Sequence, residues 1–486
     1  MRRLVVGLGL FGWMSLAACG GVSEERGALA DAEPLGSTRL ALCAGAGVST
    51  LKLEGISTYQ GEMAGAGKWA VAAPANAVRL EYFVDGGLRS HEERPGSAGD
   101  WYFSSSSVAC GTRTFKVTAY PMVIDSGGNR AVCVESARTF TTSVTEPCPS
   151  IAAGQWHIAA HGREGTVWSW GRNEHGQIGD GTLSHRSKPA QVPGITFAKA
   201  VAAGLWHTLV LKQDGTVWAW GENEHGQLGN GTVTRSLTPV RVSGLTNVIA
   251  ISAGANNSMA LTQDGTVWTW GLNFYGELGN GTTTSRSTPG QVPGLSAVTH
   301  ISSGYYYMVA RRQDGSLWAW GNNGTGELGD GTTTHRTAPV RVLGSGVATV
   351  TTGANHTVVL KQDGTLWAWG YNYYGQLGNG TTTDRLLPGQ VPGISHPIAF
   401  TAGDNHTAVV KQDGTVWIWG SNFSGQLGDG TNTKRLTPVQ VPGLGGVVDI
   451  SAGAALTVVR KADGTLWSWG SNLYGELGDG TTTNRL

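Results

Sequence analysis

The 486-residue sequence predicts an all-β protein, a seven-bladed β-propeller behind a small β-sandwich. Three observations carry that prediction. An acidic-Gly turn recurs with its glycine at Gly165, Gly215, Gly265, Gly315, Gly364, Gly414 and Gly464, in steps of 50, 50, 50, 49, 50 and 50 residues. Such a fixed period marks one supersecondary unit stacked on copies of itself. Within each unit short runs alternate apolar and polar residues, the period of a strand. Ahead of the repeats the texture changes to longer alternating runs and cysteines.

The chain opens with an export signal. Arg2 and Arg3 precede an apolar stretch from Leu4 to Leu16, too short to span a bilayer and typical of a signal peptide. It ends in Leu16-Ala17-Ala18-Cys19, which resembles the lipobox of bacterial lipoproteins. The resemblance implies cleavage after residue 18 and lipidation of Cys19. Gly20 follows where an aspartate would retain the protein at the inner membrane, so the expected location is the outer membrane or cell surface of a Gram-negative bacterium. Residues 19–38 then form a polar tether, with Glu24, Glu25, Asp31 and Glu33.

Residues 39–148 read as the sandwich. Alternating runs at Ala77–Val84, Thr114–Tyr120 and Arg138–Val144 are separated by glycine-rich breakers such as Asp85-Gly86-Gly87. The stretch from Phe115 to Val144 resembles the last strands of bacterial immunoglobulin-like domains, which implies an immunoglobulin-like β-sandwich acting as a stalk. Cys43, Cys110, Cys133 and Cys148 all fall here; in an exported chain they predict two disulfides, with three connectivities open. No C-x-x-C spacing points to zinc.

Residues 149–486 hold the repeats. In the second unit Val201–Gly204, His207–Leu211 and Thr216–Gly221 read as strands, with a hairpin at Gln213-Asp214-Gly215 and an edge strand around Pro239–Val242. The run Ala203-Gly204-x-x-His207-Thr208 through Trp220-Gly221-x-Asn223-x-x-Gly226-Gln227-Leu228-Gly229 resembles the repeat of the regulator of chromosome condensation family. That resemblance implies a seven-bladed propeller. The last unit stops at Leu486 before its edge strand; Arg138–Val144 is the segment free to complete it, but an open edge is the reading preferred.

Features shared by every copy are read as scaffold. Paired tryptophans two apart, such as Trp168/Trp170 and Trp417/Trp419, account for fourteen of nineteen and are expected to pack between blades. His157, His207, His356 and His406 recur at one position, but Asn257, Tyr307 and Leu456 break the ring, so each is expected to bond its own hairpin rather than hold a metal. The Asp180, Asn230, Asn280, Asp330, Asn379, Asp429 and Asp479 loops lose charge in three copies, which favours a turn over a calcium site.

Function is sought where the copies differ. If strands alternate up and down, the loops after the first and third strands share one rim. Their variable slots carry Trp156, Trp206, Tyr305, Tyr306, Phe274, Tyr275, Tyr373, Tyr374, Phe423 and Tyr474. Rigidly mounted aromatic residues are the types that dominate protein recognition. With 34 basic and 34 acidic residues and no basic stripe, a nucleic-acid partner is excluded. The expectation is a membrane-tethered, monomeric binding scaffold for a protein partner, without cofactor, metal or catalytic residues. Two alternatives are weighed against it. One is guanine-nucleotide exchange, the activity the family resemblance implies from its eukaryotic founder. The other is a propeller lyase or glycosidase, for which Glu174 and Glu224 are the candidate carboxylates.

Overall fold

The computed structural model describes residues 2–4, 42–59, 62–105, 111–146, 150–162 and 164–486, and these divide into two compact units. Cys19, Cys110 and Cys148 lie outside the described residues, as does the tether. Among the described residues no helix is long and apolar enough to cross a membrane.

The first unit is built from two antiparallel sheets. Gly47–Tyr59, Glu62–Ala72 and Ala98–Ser105 form one; Ala77–Val84, Gly87–Pro95, Gly111–Ile124, Arg130–Val132 and Arg138–Glu146 form the other. Period-two alternation turns Val78, Leu80, Tyr82 and Val84 inward against Trp101, Phe103, Phe115 and Val117, and these residues share one core. Cys43 and Cys133 are joined in a disulfide. Arg138–Glu146 pairs with Gly111–Ile124, so it belongs to this unit and closes no blade.

The second unit is the propeller. Each of its first six blades is a four-stranded antiparallel sheet in sequence order. Blade two shows why: Ala198–Ala203, His207–Lys212, Val217–Gly221 and Ser236–Arg241 run up and down, with His207 opposite Gly221 and Leu211 opposite Val217 across the Asp-Gly hairpin. The second strand is buried almost throughout, while the fourth is only half covered and carries Pro239, which has no N–H to offer a neighbour. That strand begins at Ser236, earlier than the Pro239 start expected from sequence, and a bulge between Ala219 and Gly221 takes up the offset.

Blade seven corrects the expectation of an open edge. Its third strand, Leu466–Gly470, pairs with Arg2–Leu4, Arg3 lying opposite Trp467, and Gly470 pairs with Arg485. An uncovered strand presents unpaired N–H and C=O groups, and residues 2–4 meet that demand. They belong to the segment read as the signal peptide.

Candidate functional site

The blades are joined by side chains that each reach one blade back or forward. The second tryptophan of every pair is fully buried, and its indole N–H donates to a loop carbonyl of the preceding blade, as Trp220 does to Gln177 at 2.8 Å. Trp170 donates to Glu476 at 2.8 Å, so the same contact closes blade seven onto blade one. Burying each ring contributes on the order of 2–3 kcal/mol. The first tryptophan behaves differently: Trp168, Trp218 and their counterparts remain half-exposed near the hairpin rim.

The histidines also act between blades, which corrects the own-hairpin reading. His157 Nε2 meets Thr208 Oγ1 at 2.8 Å, His207 meets Ser258 at 2.9 Å, and His356 and His406 meet Thr407 and Thr457 at 3.0 Å. Each hydroxyl already donates to a carbonyl, Thr208 to Gln177 and Ser258 to Gln227, so it accepts from histidine, and the ring proton sits on Nε2. Burial holds all four rings neutral, pushing them down to about 3 or about 4. In blade seven both members change, Leu456 sharing an apolar cluster with Ile158, which occupies the hydroxyl position, whereas in blade four Tyr307 replaces the histidine and Thr357 keeps its hydroxyl, 3.2 Å from the tyrosine oxygen. No group of three potential metal ligands occurs among the described residues.

The long loop after the third strand is held by one asparagine per blade. Asn223 Oδ1 accepts from Leu228 N at 2.9 Å while its Nδ2 donates to the carbonyls of Thr232 and Thr234 at 3.1 and 2.9 Å, and all seven copies repeat this. Sequence reasoning treated this asparagine as a marker only; its presence in every copy was the available signal. The Asp/Asn turns are turns: Asp180 and Asn230 each accept from the threonine two residues on, at 3.0 and 3.1 Å. Four of the aspartates also bind an arginine six residues on, such as Asp180 to Arg186 at 2.6 Å.

On this frame the two variable loops meet on one rim. In blade two Glu222 N donates to Trp206 O at 2.9 Å, tying the third-strand loop to the first. The variable slots then sort by distance from the axis. The first slot of the first loop faces inward, where Gln155, Leu205, Tyr305 and Asp404 line an axial cavity of about 100 Å³ together with the glycines of all seven blades. Tyr305 donates its hydroxyl across this cavity to Asp404, and Gln155 donates to the same carboxylate at 3.4 Å. Burial pushes Asp404 up to about 6 despite those donors, and pushes the Tyr305 hydroxyl well above the ordinary phenol value.

The middle ring packs on itself across blade boundaries. His175 lies against Trp206 with ring centroids 4.9 Å apart, Tyr275 against Tyr306 at 5.8 Å, and Tyr474 against Trp156 at 6.1 Å. Arg172 is held between Trp206 and Tyr474, 4.6 Å from each ring. Its guanidinium also binds Glu174, holding that carboxyl below its ordinary range. Glu174 is therefore committed to an ion pair, and the structure gives no contact between it and Glu224.

Only the outer ring projects freely. Phe274, Tyr373, Phe423 and Leu473 are 68%, 60%, 69% and 63% exposed. In blades five and six they extend a cluster in which Tyr373 and Phe423 each meet Tyr374 edge-on, at 5.0 and 5.7 Å. Tyr374 is half-buried beneath them.

A family model described as RCC1-like domain matches residues 106–398, and RCC1-repeat models match residues 413–460 and, in two stretches, 398–426 and 447–476. The chain belongs to the RCC1-like domain family. Among solved structures it is similar to yeast RCC1 (Prp20) bound to Kap60, at 22% identity and TM-score 0.60, covering 66% of this chain and 82% of that one. Prp20p from Saccharomyces cerevisiae, described with its binding to Gsp1p and histones, matches at 24% identity and TM-score 0.58, covering 64% and 81%. Human WBSCR16 matches at 23% identity and TM-score 0.57, covering 68% and 90%. No curated protein matches. These likenesses establish the RCC1-like propeller; at such identities they carry the fold and not the activity.

Proposed function

We propose that this RCC1-like chain is a lipid-anchored, extracytoplasmic binding scaffold whose loop rim recognises a protein. The observation that carries the reading is the outer ring: four large apolar side chains exposed in consecutive or near-consecutive blades, mounted on loops whose backbone is fixed by the Asn223-type network. Exposed aromatic anchors on a rigid base limit the entropy lost on association, which is how such surfaces gain affinity. That yeast RCC1 is bound by Kap60 supports protein recognition as a use of this propeller. The lipobox resemblance at Cys19 supports the anchor, whose processing removes Arg2–Leu4 and leaves Gly470 paired with Arg485 at the blade-seven edge, and the two-sheet unit, read as immunoglobulin-like, serves as the stalk.

Guanine-nucleotide exchange is the second reading, motivated by family membership. It is less well supported, because an exported chain would not meet a cytoplasmic GTPase. A propeller hydrolase or lyase is weaker still, since Glu174 is neutralised by Arg172.

The test uses immobilised full-length protein against the envelope fraction of its own host, alongside a Phe274→Ala/Tyr373→Ala/Phe423→Ala variant. Specific bands captured by the parent and lost from the triple variant, with unchanged thermal unfolding, support the rim. Identical capture by both proteins overturns it.

A further inference from the structure

The hairpin rim, opposite these loops, carries a second recurring arrangement. In five blades a cation lies over the half-exposed first tryptophan. Lys361 stands 3.5 Å from the Trp367 ring centroid and Lys411 3.9 Å from that of Trp417. Lys212, Arg312 and Lys461 sit more loosely over Trp218, Trp318 and Trp467, at 5.8, 5.9 and 5.2 Å. The same lysines neighbour the hairpin carboxylates of Asp363 and Asp413 and help hold them below the ordinary range, after the threonine donors of each turn. The repeat thus builds a seat with an indole floor and a carboxylate wall, and fills it with its own ammonium group.

Blade three keeps the floor and the wall and changes the occupant. Thr262 stands where five of the other blades have lysine or arginine, and its hydroxyl turns into the hairpin, 2.7 Å from Asp264 Oδ1. Gln291 stands where Arg241 and Arg341 lie near Asp214 and Asp314 in blades two and four. Among the described residues no basic side chain forms an ion pair with Asp264 or stacks on Trp268. At this place a cleft of about 420 Å³ opens between the linker at 244–247 and the hairpin, lined by Trp268, Asp264, Gln263, Thr262 and Asn247. Blade one departs in both respects, with Gly162 at the cation position and Glu164 in the turn.

We propose that this blade-three cleft binds an alkylammonium group, carried by a lysine side chain or a small primary amine, with the nitrogen over Trp268 and beside Asp264. The sister blades supply the geometry, since a tethered lysine occupies the equivalent place in four of them. Charge complementarity supplies the sign, since Asp264 has lost the cation that its counterparts keep. Cation–π attraction to indole supplies the selectivity over a neutral group of the same shape.

The test follows the Trp268 indole N–H resonance of the full chain, assigned with Trp268→Phe. The probes are n-butylammonium chloride, the peptide acetyl-Gly-Lys-Gly-amide, and its Nε-acetylated neutral counterpart. Saturable shifts are expected with the charged probes and not with the neutral one. Thr262→Lys installs the residue of four sister blades, so it folds, and it should fill the seat and weaken amine binding about tenfold or more. Tighter binding of the peptide than of butylammonium identifies a protein lysine as the source, and the reverse identifies a free amine. The proposal is overturned if no charged probe shifts Trp268, if the neutral peptide binds equally, or if Thr262→Lys binds like the parent.

Discussion

The buried histidine ring makes the propeller sensitive to acid in a way that one substitution can isolate. An unfolded histidine titrates near 6.5, whereas burial holds His207 down to about 4 in the native protein. The unfolded state therefore binds the proton first, and stability present above about pH 6.5 is lost as pH falls toward the folded value. At pH 5 the difference amounts to about 2 kcal/mol for one histidine, and it barely depends on the folded value so long as that stays at about 4 or below. The whole-protein profile would hide this. Glu277 is raised to about 7 and Asp404 to about 6, both by burial, and Glu327 and Glu476 are raised as well. Their contribution has the opposite sign: it is fully present below the unfolded carboxylate value and lost as pH rises through the folded one.

The decisive quantity is therefore a double difference. His207→Leu copies the residue of blade seven, where Leu456 and Ile158 meet without a hydroxyl pair. Ser258 keeps its own bond to Gln227, so no buried donor is stranded. Urea unfolding followed by tryptophan emission, which reports mainly on the propeller, should show the variant gaining about 2 kcal/mol relative to the parent between pH 7.5 and pH 5. His157, His356 and His406, changed likewise one at a time, should each show a similar gain, because burial holds each ring neutral to about 4 or below. A parent–variant difference that stays constant with pH would refute the neutral-ring reasoning.

Three further outcomes are expected. Gly204→Ala places a Cβ 2.5 Å from the Gly254 carbonyl and 2.5 Å from the His207 ring, so it should destabilise the propeller by about 3 kcal/mol in the same urea assay. Trp220→Phe should cost more stability than Trp218→Phe, by about 1–2 kcal/mol, because only Trp220 is fully buried and bonded to Gln177; equal losses would contradict the inter-blade staple. Cys19→Ser should abolish palmitate incorporation and release the protein from the membrane fraction, and mass spectrometry of the parent should show residues 1–18 removed; an intact N-terminus would instead keep Arg2–Leu4 available to blade seven.

The propeller was legible because seven copies vote on the same pattern. Alternation around Asp214-Gly215 fixes a hairpin, and a hairpin fixes which loops share a rim. Side-chain direction within those loops was not legible. Tyr305 and Tyr306 are neighbours of one residue type, yet one bonds Asp404 across the axis and the other packs against Tyr275. Period-two reasoning does not extend into a tight loop, where backbone geometry sets direction. The two tryptophans of a pair differ for a related reason: they share a sheet face, but only the second lies deep enough to meet the preceding blade. The histidine pairing could have been read, since a hydroxyl residue follows the repeat position in the next blade wherever histidine occurs, and Ile158 replaces it where Leu456 occurs.

Radial position decides how much freedom each variable slot retains. Inner-slot residues meet one another round a cavity of about 100 Å³, so a change at Tyr305 is felt at Asp404 and Gln155. Middle-slot residues are coupled in pairs across a blade boundary, and replacing Trp206 disturbs His175 and Arg172 together. Truncating either ring perturbs the platform and reports on stability as much as on recognition. Outer-slot residues are the ones the scaffold leaves mostly exposed, which is why the binding test removes Phe274, Tyr373 and Phe423. The same logic applies on the hairpin rim, where a repeated seat is filled in five blades and informative in the one where Thr262 leaves Trp268 uncovered.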